Sequence, residues 1–450
     1  MSQPALHAAA PKQQLTLLDA ISIIIGIVIG VGIYQTSPVI AASVTTPAWL
    51  ILIWIAGGLL SLAGALCYAE LATAYPEEGG DYVYLTKAWG RRMGFLFAWA
   101  GFWMVRPANI GAIAFIFAHY ARQFIPFRFG NSDLTIYAAT LVILLTLVNI
   151  VGVKSGKWLQ NIMTTAKVLG LLMIITIGLF FANTIDTGAA FHNPHSGHNL
   201  YLAFILVLFT YGGWSNISYV AAEVMHPKKN ILRALITGTL LVTAIYIVIN
   251  LAFLRTLGME GMRASQAIAS DMMHVTLGEG SAIFISILIC ITCISAVNGM
   301  IFTEARIYYA LGKEHRLYRL LGIWDARLDA PVWSLASQAI ISLALIILLG
   351  SEGDAFERLV VFSAPLFWFF FLMTGLALFR FRSENRNTQA GFRVPLYPWT
   401  PILFCLSTAF MLYASLAYAY EQRLPEAFLI IFIMVLGILV SLYDPEISEG

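Results

Sequence analysis

The amino-acid sequence predicts an all-α integral membrane protein with twelve transmembrane helices. Of the 450 residues, 59% are hydrophobic and only 11% are charged, whereas a soluble domain carries roughly 25% charged residues. No Asp, Glu, Lys or Arg lies between Asp19 and Glu70, and this run is long enough for two helices of about 20 residues that cross a bilayer. Glycine interrupts two of the predicted helices at matching places in the two halves of the chain.

The spans follow the apolar runs in order along the chain. Thr45-Thr46-Pro47 separates the first two spans. The predicted spans are residues 17–42, 48–74, 94–121, 134–152, 158–182, 199–223, 232–256, 280–311, 332–350, 357–380, 399–420 and 426–443.

The N-terminal segment from Met1 to Thr16 is short and polar, with Lys12 as its one lysine. No small-residue cleavage pattern follows the first apolar span, and Asp19 lies at its start. We therefore expect a retained first helix rather than a removed signal peptide.

The Lys and Arg residues predict the orientation of the chain. With a cytoplasmic N-terminus, seventeen of the 26 fall in inner loops and flanks, six fall on the outer side, and Arg106, Lys167 and Arg306 lie within spans. Since cytoplasmic loops are enriched in basic residues, both termini are expected in the cytoplasm. The net charge of +2 gives no reason to expect nucleic-acid binding, because membrane orientation accounts for the basic residues.

The four cysteines all lie inside apolar spans, so no disulfide framework is predicted. They are Cys67, Cys290, Cys293 and Cys405. Cys290 and Cys293 are one helical turn apart and are interpreted as small packing residues rather than as metal or redox groups.

The first glycine-broken stretch covers residues 26–32 (GIVIGVG). A broken helix is tolerated in hydrocarbon only where its freed backbone groups face protein or a water-filled cavity. We expect helix one to stop near Val28 and restart near Ile33. Because helix ends carry partial charges, the amides after the break suit an anion and the carbonyls before it suit a cation, the two charges of an α-amino acid. The residues concerned are Val28, Ile29, Gly30, Val31 and Gly32.

The second stretch covers residues 210–216 (TYGGWSN), inside the sixth span. It can add carbonyls from Phe209 and Gly212. Two breaks at corresponding positions of the two halves point to a transporter substrate site. The alternative is close helix packing, since Gly26 and Gly30 have the small-xxx-small spacing; the matched positions of the two breaks favour binding.

These motifs resemble those of L-type amino acid transporters in the amino acid–polyamine–organocation superfamily. Residues 209–214 (FTYGGW) look like the helix-six signature of that family, and residues 29–34 (IGVGIY) resemble its Ile-Gly-Ser-Gly-Ile-Phe motif. The resemblance covers nearly the whole chain in order. Further matching segments are Tyr68-Ala-Glu-Leu71, Gly79-Gly-Asp-Tyr82, Arg106-Pro107, Ala166-Lys-Val-Leu169, Pro227-Lys-Lys-Asn230, Val297-Asn-Gly299, Arg306 and Trp368.

The resemblance implies the leucine-transporter fold, a 5+5 inverted repeat in which helices one and six are discontinuous. It also implies that the Gly-x-Gly amides take the substrate carboxylate and that Phe209 is a bulky gate above the substrate. The implied organisation is a cytoplasmic N-tail (1–16), a first five-helix repeat (17–182), an inverted second repeat (199–380), trailing helices 11 and 12 (399–443) and a cytoplasmic C-tail (444–450).

Two positions depart from the pattern of the family. Val31 stands where many relatives carry serine, so the amide remains but a hydroxyl is lost. Ser215 replaces an asparagine of some large-substrate relatives, so their specificity is not carried over. The predicted substrate contacts outside helix one are Phe209, Thr210, Gly212 and Asn109, the last of which lies one turn after Arg106 in helix three.

Lys167 is the intramembrane charge that matters most, because a charge near the middle of a span is costly and usually functional. Sodium-coupled relatives place a sodium ion between helices one and eight. In sodium-independent relatives, a helix-five lysine resembles its substitute and touches the carbonyls at the helix-one break. The alternative is a surface lysine that extends to the membrane interface. A buried lysine can also exchange its proton, so proton coupling stays open.

Other charged groups receive weaker assignments. Glu223 and Arg306 lie at the inner ends of helices six and eight, where ion pairing at an inner gate and a more direct role are equally open, and Glu304 is one turn from the same end. Arg106 in helix three has no assigned role. The histidines of residues 192–198, His192, His195 and His198, have a possible zinc spacing, but no fourth ligand lies nearby, so no metal site is predicted.

The sequence gives no sign of an enzyme, a cofactor or an ATP-driven machine, since no Walker-type phosphate loop is present. Vertebrate L-type subunits bind a single-pass glycoprotein through a cysteine after helix three, and residues 122–133 contain no cysteine. We therefore expect no disulfide-linked heavy chain and no nucleic acid, with an amino acid substrate and membrane lipid as the partners. This fits a bacterial protein of the plasma (inner) membrane.

The function predicted from these features is sodium-independent transport of neutral L-amino acids, by exchange and alternating access. A proton-coupled symporter and a polyamine antiporter remain as alternatives, although no convincing set of mid-membrane carboxylates suits a polyamine. An amino acid sensor without transport is a further alternative from a different class. A channel is disfavoured, because no ring of identical filter residues can be built from the spans.

Overall fold

The structure, a computed structural model, describes residues 11–122, 133–180, 200–278, 281–349, 355–384, 391–421 and 426–443. These residues form helices and contain no β-strand, only the isolated bridges Leu15–Val224 and Asp325–Ala330. The predicted all-α class is therefore confirmed. The helices are α1 (Leu17–Val28), α2 (Gly32–Ser43), α3 (Pro47–Ala74), α4 (Asp81–Trp89), α5 (Arg91–Ala100), α6 (Arg106–Ala121), α7 (Asp133–Ile150), α8 (Val153–Phe180), α9 (Leu200–Thr210), α10 (Pro227–Ala264), α11 (Ile268–Leu277), α12 (Ser281–Glu314), α13 (Val332–Leu349), α14 (Ala355–Ser383), α15 (Trp399–Glu421) and α16 (Glu426–Tyr443).

Nine helical segments of the described residues are long and apolar enough to cross a membrane. The pair α1 and α2, bent by 49° at their break, adds a tenth if it is counted as one span. Two shorter apolar helices, Val332–Leu348 and Ile430–Leu442, lie within the ninth and twelfth predicted spans. The chain is a multi-pass membrane protein, while the count of twelve stays a prediction.

Local sequence explains where the first helices begin. The Thr16 hydroxyl accepts a hydrogen bond from the Asp19 amide, and the Asp19 carboxylate accepts one from the Thr16 amide, so the two form a capping box at the start of α1. Thr46 accepts a hydrogen bond from the Trp49 amide, and Pro47 occupies the first turn of α3, where its missing amide is not needed.

Some boundaries differ from the predicted spans. α10 starts at Pro227, five residues before the predicted span, because proline suits the first helical turn and the charged residues that follow remain helical. Between α5 and α6 the chain forms a π-helical segment, Gly101–Val105. The short helices α4 and α11 lie in predicted loops, since the hydropathy that identifies spans does not register a short, partly polar helix.

The helical elements on either side of the two breaks pack against one another. After α9, residues 211–213 form a turn that leads into a 310 helix, Trp214–Glu223, which we call the 310 segment. This segment packs against α1, α10 and α12, and α1 also packs against α8, α10 and α12, while α2 packs against α9 and α10. The packing therefore brings the two interruptions together.

Candidate functional site

The first break has the predicted position. α1 ends at Val28 and α2 begins at Gly32, one residue before the expected restart. Between them the Gly30 amide donates to the Val28 carbonyl at 2.7 Å. This hydrogen bond closes a tight turn and is not part of the helical pattern. Gly30 and Gly32 are partly exposed although they lie inside the bundle, so accessible space borders the break.

The amides at the start of α2 remain available to a ligand. Val31 and Gly32 are at the N-terminal end of this helix, where the first amides have no partner within the helix and the helix dipole favours an anion. A Cβ built on Gly32 would lie 3.2 Å from the Thr210 side chain, whereas one built on Gly30 would meet nothing closer than 3.9 Å. Gly32 therefore sits against the second break, and Gly30 borders open space.

The carbonyls before the break are already engaged by the chain. Lys167 Nζ donates to the Gly26 carbonyl at 2.7 Å and to the Ile29 carbonyl at 2.6 Å, and the Tyr246 hydroxyl donates to the Val28 carbonyl at 2.8 Å. The sequence assigned the carbonyls of Val28 and Ile29 to a substrate ammonium. Since a carbonyl oxygen has two lone pairs, each can accept a second hydrogen bond, but neither is unoccupied.

The predicted contact of Lys167 with the helix-one break is confirmed. Its side chain is completely buried and lies on α8. The carbonyls at the C-terminal end of a helix carry partial negative charge, so the end of α1 stabilises the buried ammonium. Its role as a substitute for a sodium ion stays a prediction.

Tyr246 joins the two breaks, and sequence reasoning missed it. Its hydroxyl donates to the Val28 carbonyl and lies 3.2 Å from the Thr210 carbonyl, so one side chain of α10 bonds to the end of α1 and to the end of α9. The Thr36 and Thr210 hydroxyls are 3.0 Å apart, which links α2 to α9 directly. The available signal was a single tyrosine in the middle of an apolar span, because a buried tyrosyl hydroxyl usually finds a partner.

Gly213 explains why the second break approaches the first so closely. Its φ angle is +109°, a conformation that residues with a Cβ rarely adopt. A Cβ there would lie 2.6 Å from Ile27 of α1. The glycine therefore permits both the turn and the contact.

The remaining predicted contacts, Phe209 and Asn109, have different surroundings. The Phe209 side chain, at the end of α9, is 40% exposed. Asn109, on α6, is partly buried, and its amide oxygen accepts a hydrogen bond from the Ser363 hydroxyl of α14 at 3.1 Å. The gate role of Phe209 and the substrate contact of Asn109 stay predictions.

Of the two roles that the sequence left open for Glu223 and Arg306, the structure shows the ion pair, at the far end of the 310 segment. Arg306 Nε and Nη2 donate to the two carboxylate oxygens of Glu223, at 2.6 and 3.1 Å, with both side chains buried. The Gln14 and Leu15 amides donate to the Glu223 carbonyl at 2.8 and 2.9 Å. Lys157 Nζ donates to the Gln14 carbonyl at 2.9 Å. These contacts tie the N-terminal segment to the end of helix six.

Arg106, which the sequence left unassigned, also has buried partners. Its guanidinium donates to Glu304 at 3.2 Å and to the Tyr219 hydroxyl at 2.8 Å. Arginine on α6 thus contacts both α12 and the 310 segment.

Among the described residues, no group of three or more His, Cys, Asp and Glu side chains is suited to a metal ion. His192, His195 and His198 lie outside the described residues. Cys67, Cys290, Cys293 and Cys405 are free and buried.

Comparison with known proteins places this geometry in a family. A family model described as amino acid permease matches residues 15–440. The chain is 30% identical over 414 residues to the human (Homo sapiens) b(0,+)-type amino acid transporter 1, covering 90% of this chain and 83% of that protein. It is 29% identical over 408 residues to the serine/threonine exchanger SteT of Bacillus subtilis, covering 90% and 91%. It is 30% identical over 417 residues to the large neutral amino acids transporter small subunit 2 of Oryctolagus cuniculus, covering 90% and 76%.

Proposed function

The chain belongs to the amino acid permease family, and from that premise we propose that it exchanges neutral L-amino acids across a membrane without sodium, by alternating access. Amino acid transport is what the family and its relatives have in common, and they are transporters rather than enzymes. The finer terms of the proposal, the neutral substrate, the independence from sodium and the exchange, depend on the contacts at the two breaks.

The contact between Lys167 and the end of α1 is the observation that carries the proposal. Two freed carbonyls, those of Gly26 and Ile29, bind one ammonium at 2.7 and 2.6 Å. The same oxygens would suit a sodium ion, which takes oxygen ligands. A cation that is part of the chain supplies the same charge at this place, so the carrier needs no sodium.

The substrate carboxylate is assigned to the amides of Val31 and Gly32, and its ammonium to the second lone pairs of the carbonyls around the breaks. Within the described residues, Lys167 is the charged side chain that hydrogen-bonds to the break, and two carbonyls already engage it. A neutral substrate side chain, placed in the space beside Gly30, therefore suits the site best.

Exchange follows if Lys167 keeps its proton throughout the cycle. No ion then crosses with the amino acid, and uptake needs an amino acid on the opposite side. Phe209, next to the second break and 40% exposed, is the proposed gate. The distribution of Lys and Arg supports a cytoplasmic location for both termini. The proposed location of the protein is a bacterial plasma membrane.

Transport of a radiolabelled amino acid panel into proteoliposomes tests the proposal. We expect uptake of neutral L-amino acids that requires amino acid inside the vesicles and proceeds equally in sodium and choline buffers. Proteoliposomes that contain buffer without amino acid provide the matched control. Strong dependence on sodium would contradict the proposal, and uphill uptake into empty vesicles driven by an inward pH gradient would replace exchange by proton symport.

A further inference from the structure

A second buried cation lies apart from the helix breaks, in what we call the Arg106 cluster: Asp81, Arg106, Tyr219 and Glu304. Arg106 donates to Glu304 Oε1 at 3.2 Å and to the Tyr219 hydroxyl at 2.8 Å, and the Tyr219 hydroxyl donates to Asp81 Oδ2 at 2.8 Å. The cluster is thus one hydrogen-bonded chain. It joins α4, α6, α12 and the 310 segment.

The charges of the cluster do not balance. The exposed fractions of Asp81, Arg106 and Glu304 are 2%, 3% and 1%, so water cannot compensate for an excess charge. One guanidinium faces two carboxyl groups, and two ionised carboxylates would leave one uncompensated negative charge, which is costly to bury. A single proton on one carboxyl group brings the cluster to neutrality.

The hydrogen bonds indicate that Asp81 remains the ionised group. Its carboxylate accepts from the hydroxyls of Tyr68, Tyr219 and Thr374, and hydrogen bonds of this kind favour the charged form. Burial raises the pKa of Asp81 above its usual value, and these three hydrogen bonds together with the charge of Arg106 oppose that rise. Both carboxylate oxygens of Asp81 thus already accept hydrogen bonds, Oδ1 from Tyr68 and Thr374 and Oδ2 from Tyr219.

Glu304 differs in having one oxygen without a partner. Oε1 accepts from Arg106 and, at 3.5 Å, from the Asn216 amide, whereas Oε2 is buried and has no hydrogen-bond partner among the described residues. A buried ionised oxygen without a donor is unfavourable, and a neutral hydroxyl at the same place costs less to bury than an uncompensated charge, so this oxygen is where the proton required by the charge balance is expected. The charged and titratable groups around this carboxyl are Arg106, Tyr219 and Tyr308, with Asp81 and Tyr68 beyond Tyr219.

A cavity of about 10 Å³ adjoins the chain of hydrogen bonds. Its lining includes Asp81, Arg106 and Tyr219 on the polar side and Phe367 and Phe371 on the apolar side. This volume corresponds to about one water molecule. The space therefore holds at most about one water molecule, beside Asp81, Arg106 and Tyr219 of the cluster.

We propose that the Arg106 cluster is a proton-binding site and that Glu304 Oε2 carries one exchangeable proton. Asn216 and Tyr219 belong to the 310 segment, which lies between the second break and the ion pair of Glu223 with Arg306. If this segment moves as the carrier alternates, which rests on the proposed function, Arg106 loses Tyr219, and the position of the segment then controls the proton. A proton that is bound and released on the same side of the membrane makes exchange depend on pH without adding a transported ion, so the proposed exchange is unchanged.

Infrared spectroscopy of the purified full chain in lipid vesicles tests the proton directly. The carbonyl stretch of a protonated carboxylic acid should be present in the wild type at neutral pH and should be lost in Glu304→Gln, whose neutral amide has nearly the shape of the protonated acid. Glu223→Gln is the matched control and should retain the band, because Arg306 binds both oxygens of Glu223. In the wild type the band should disappear as the pH is raised.

A second variant tests the charge balance itself. Asp81→Asn removes one negative charge, which leaves Arg106 and Glu304 balanced, so Glu304 should ionise and the acid band should fall at the same pH. A band of equal size in the wild type and in Glu304→Gln would overturn the proposal. So would its absence from the wild type, the result expected if a metal cation such as sodium neutralised the cluster. The spectra require no transport, so a failed transport assay and a missing proton are separate results.

Discussion

The two sides of the first helix break are built in opposite ways. On the carbonyl side, Lys167 and Tyr246 occupy the oxygens at the end of α1 with their own hydrogen atoms. On the amide side, Val31 and Gly32 begin α2, where the first amides of a helix have no partner within it. On the carbonyl side, donors of the protein itself already use one lone pair of each oxygen and leave only the second for the substrate ammonium, whereas the amides on the other side are left for the substrate carboxylate. Substitutions on the two sides should then affect different steps of transport.

The largest effect is expected on the amide side. Gly32→Leu places a side chain against Thr210, whose atoms already lie 3.2 Å from a Cβ at this position, and it covers the amides at the start of α2. We expect binding, and with it transport, to be abolished while membrane insertion is retained. A scintillation proximity assay with a labelled neutral amino acid measures binding, and surface labelling in membranes measures insertion.

Gly30→Ala is the companion variant for Gly32→Leu: a Cβ at Gly30 meets nothing closer than 3.9 Å, and it adds only one methyl group to the space assigned to the substrate side chain, so its effect on binding should be much smaller. Amines and amino alcohols without a carboxylate should fail to compete in the wild type. If a decarboxylated analogue competed as strongly as the amino acid, the amide side would not be a carboxylate site.

The second largest effect is expected on the carbonyl side. Lys167→Ala leaves the carbonyls of Gly26 and Ile29 unpaired, at a cost of about 1–3 kcal/mol for each buried group, and it disconnects α8 from α1. We expect exchange to collapse while binding weakens less, because the carboxylate still meets the amides of α2. Paired measurements of binding and of exchange in proteoliposomes separate the two quantities.

Lys154→Ala provides the matched control for Lys167→Ala, since Lys154 lies on the same helix but is exposed. It should exchange amino acids like the wild type. An equal loss of binding and exchange in Lys167→Ala would mean that the two sides of the break do not differ in the way we infer.

Tyr246→Phe should have a smaller effect of the same kind. It removes the hydroxyl that bonds the carbonyls of Val28 and Thr210 but keeps the ring, and a typical buried hydrogen bond contributes about 0.5–1.5 kcal/mol. We expect exchange to slow by roughly two- to tenfold. Tyr211→Phe removes a neighbouring buried hydroxyl that instead bonds the Trp54 carbonyl, and it should slow exchange less. Equal exchange rates in the two variants would show that the Tyr246 hydroxyl has no special role at the helix breaks.

Sequence reasoning predicted those parts of the site that depend on local backbone chemistry. Closely spaced glycines weaken a helix locally, so the end of α1 at Val28 and the restart near Gly32 could be predicted within a residue. The contact of Lys167 followed from its depth in a span together with the resemblance to a family. The pair of Glu223 and Arg306 followed from two opposite charges at the same end of the bundle.

The parts that were missed depend on contacts between distant segments. Tyr246 lies 218 residues from Val28 along the chain, and Arg106 lies 198 residues from Glu304. No periodicity or spacing encodes such a pair, because the rotation of each helix about its own axis decides which neighbour a side chain meets. The short helix α4 was missed for a different reason, since its partly polar sequence falls below the hydropathy of a span.

The smallest effect on binding is expected at Phe209, which tests whether motion and binding are separate. Its side chain is 40% exposed and lies beside the second break, but it touches neither the amide nor the carbonyl side through a hydrogen bond. Phe209→Ala should therefore leave affinity close to that of the wild type and slow or uncouple exchange, because a gate isolates the substrate from one side of the membrane. Leu208→Ala, one position earlier on α9 and partly buried in the core, controls for the loss of apolar volume. Unchanged affinity together with an unchanged exchange rate in Phe209→Ala would show that this residue serves only in packing. The amide and carbonyl sides of the first break would then account for both substrate binding and the conformational change.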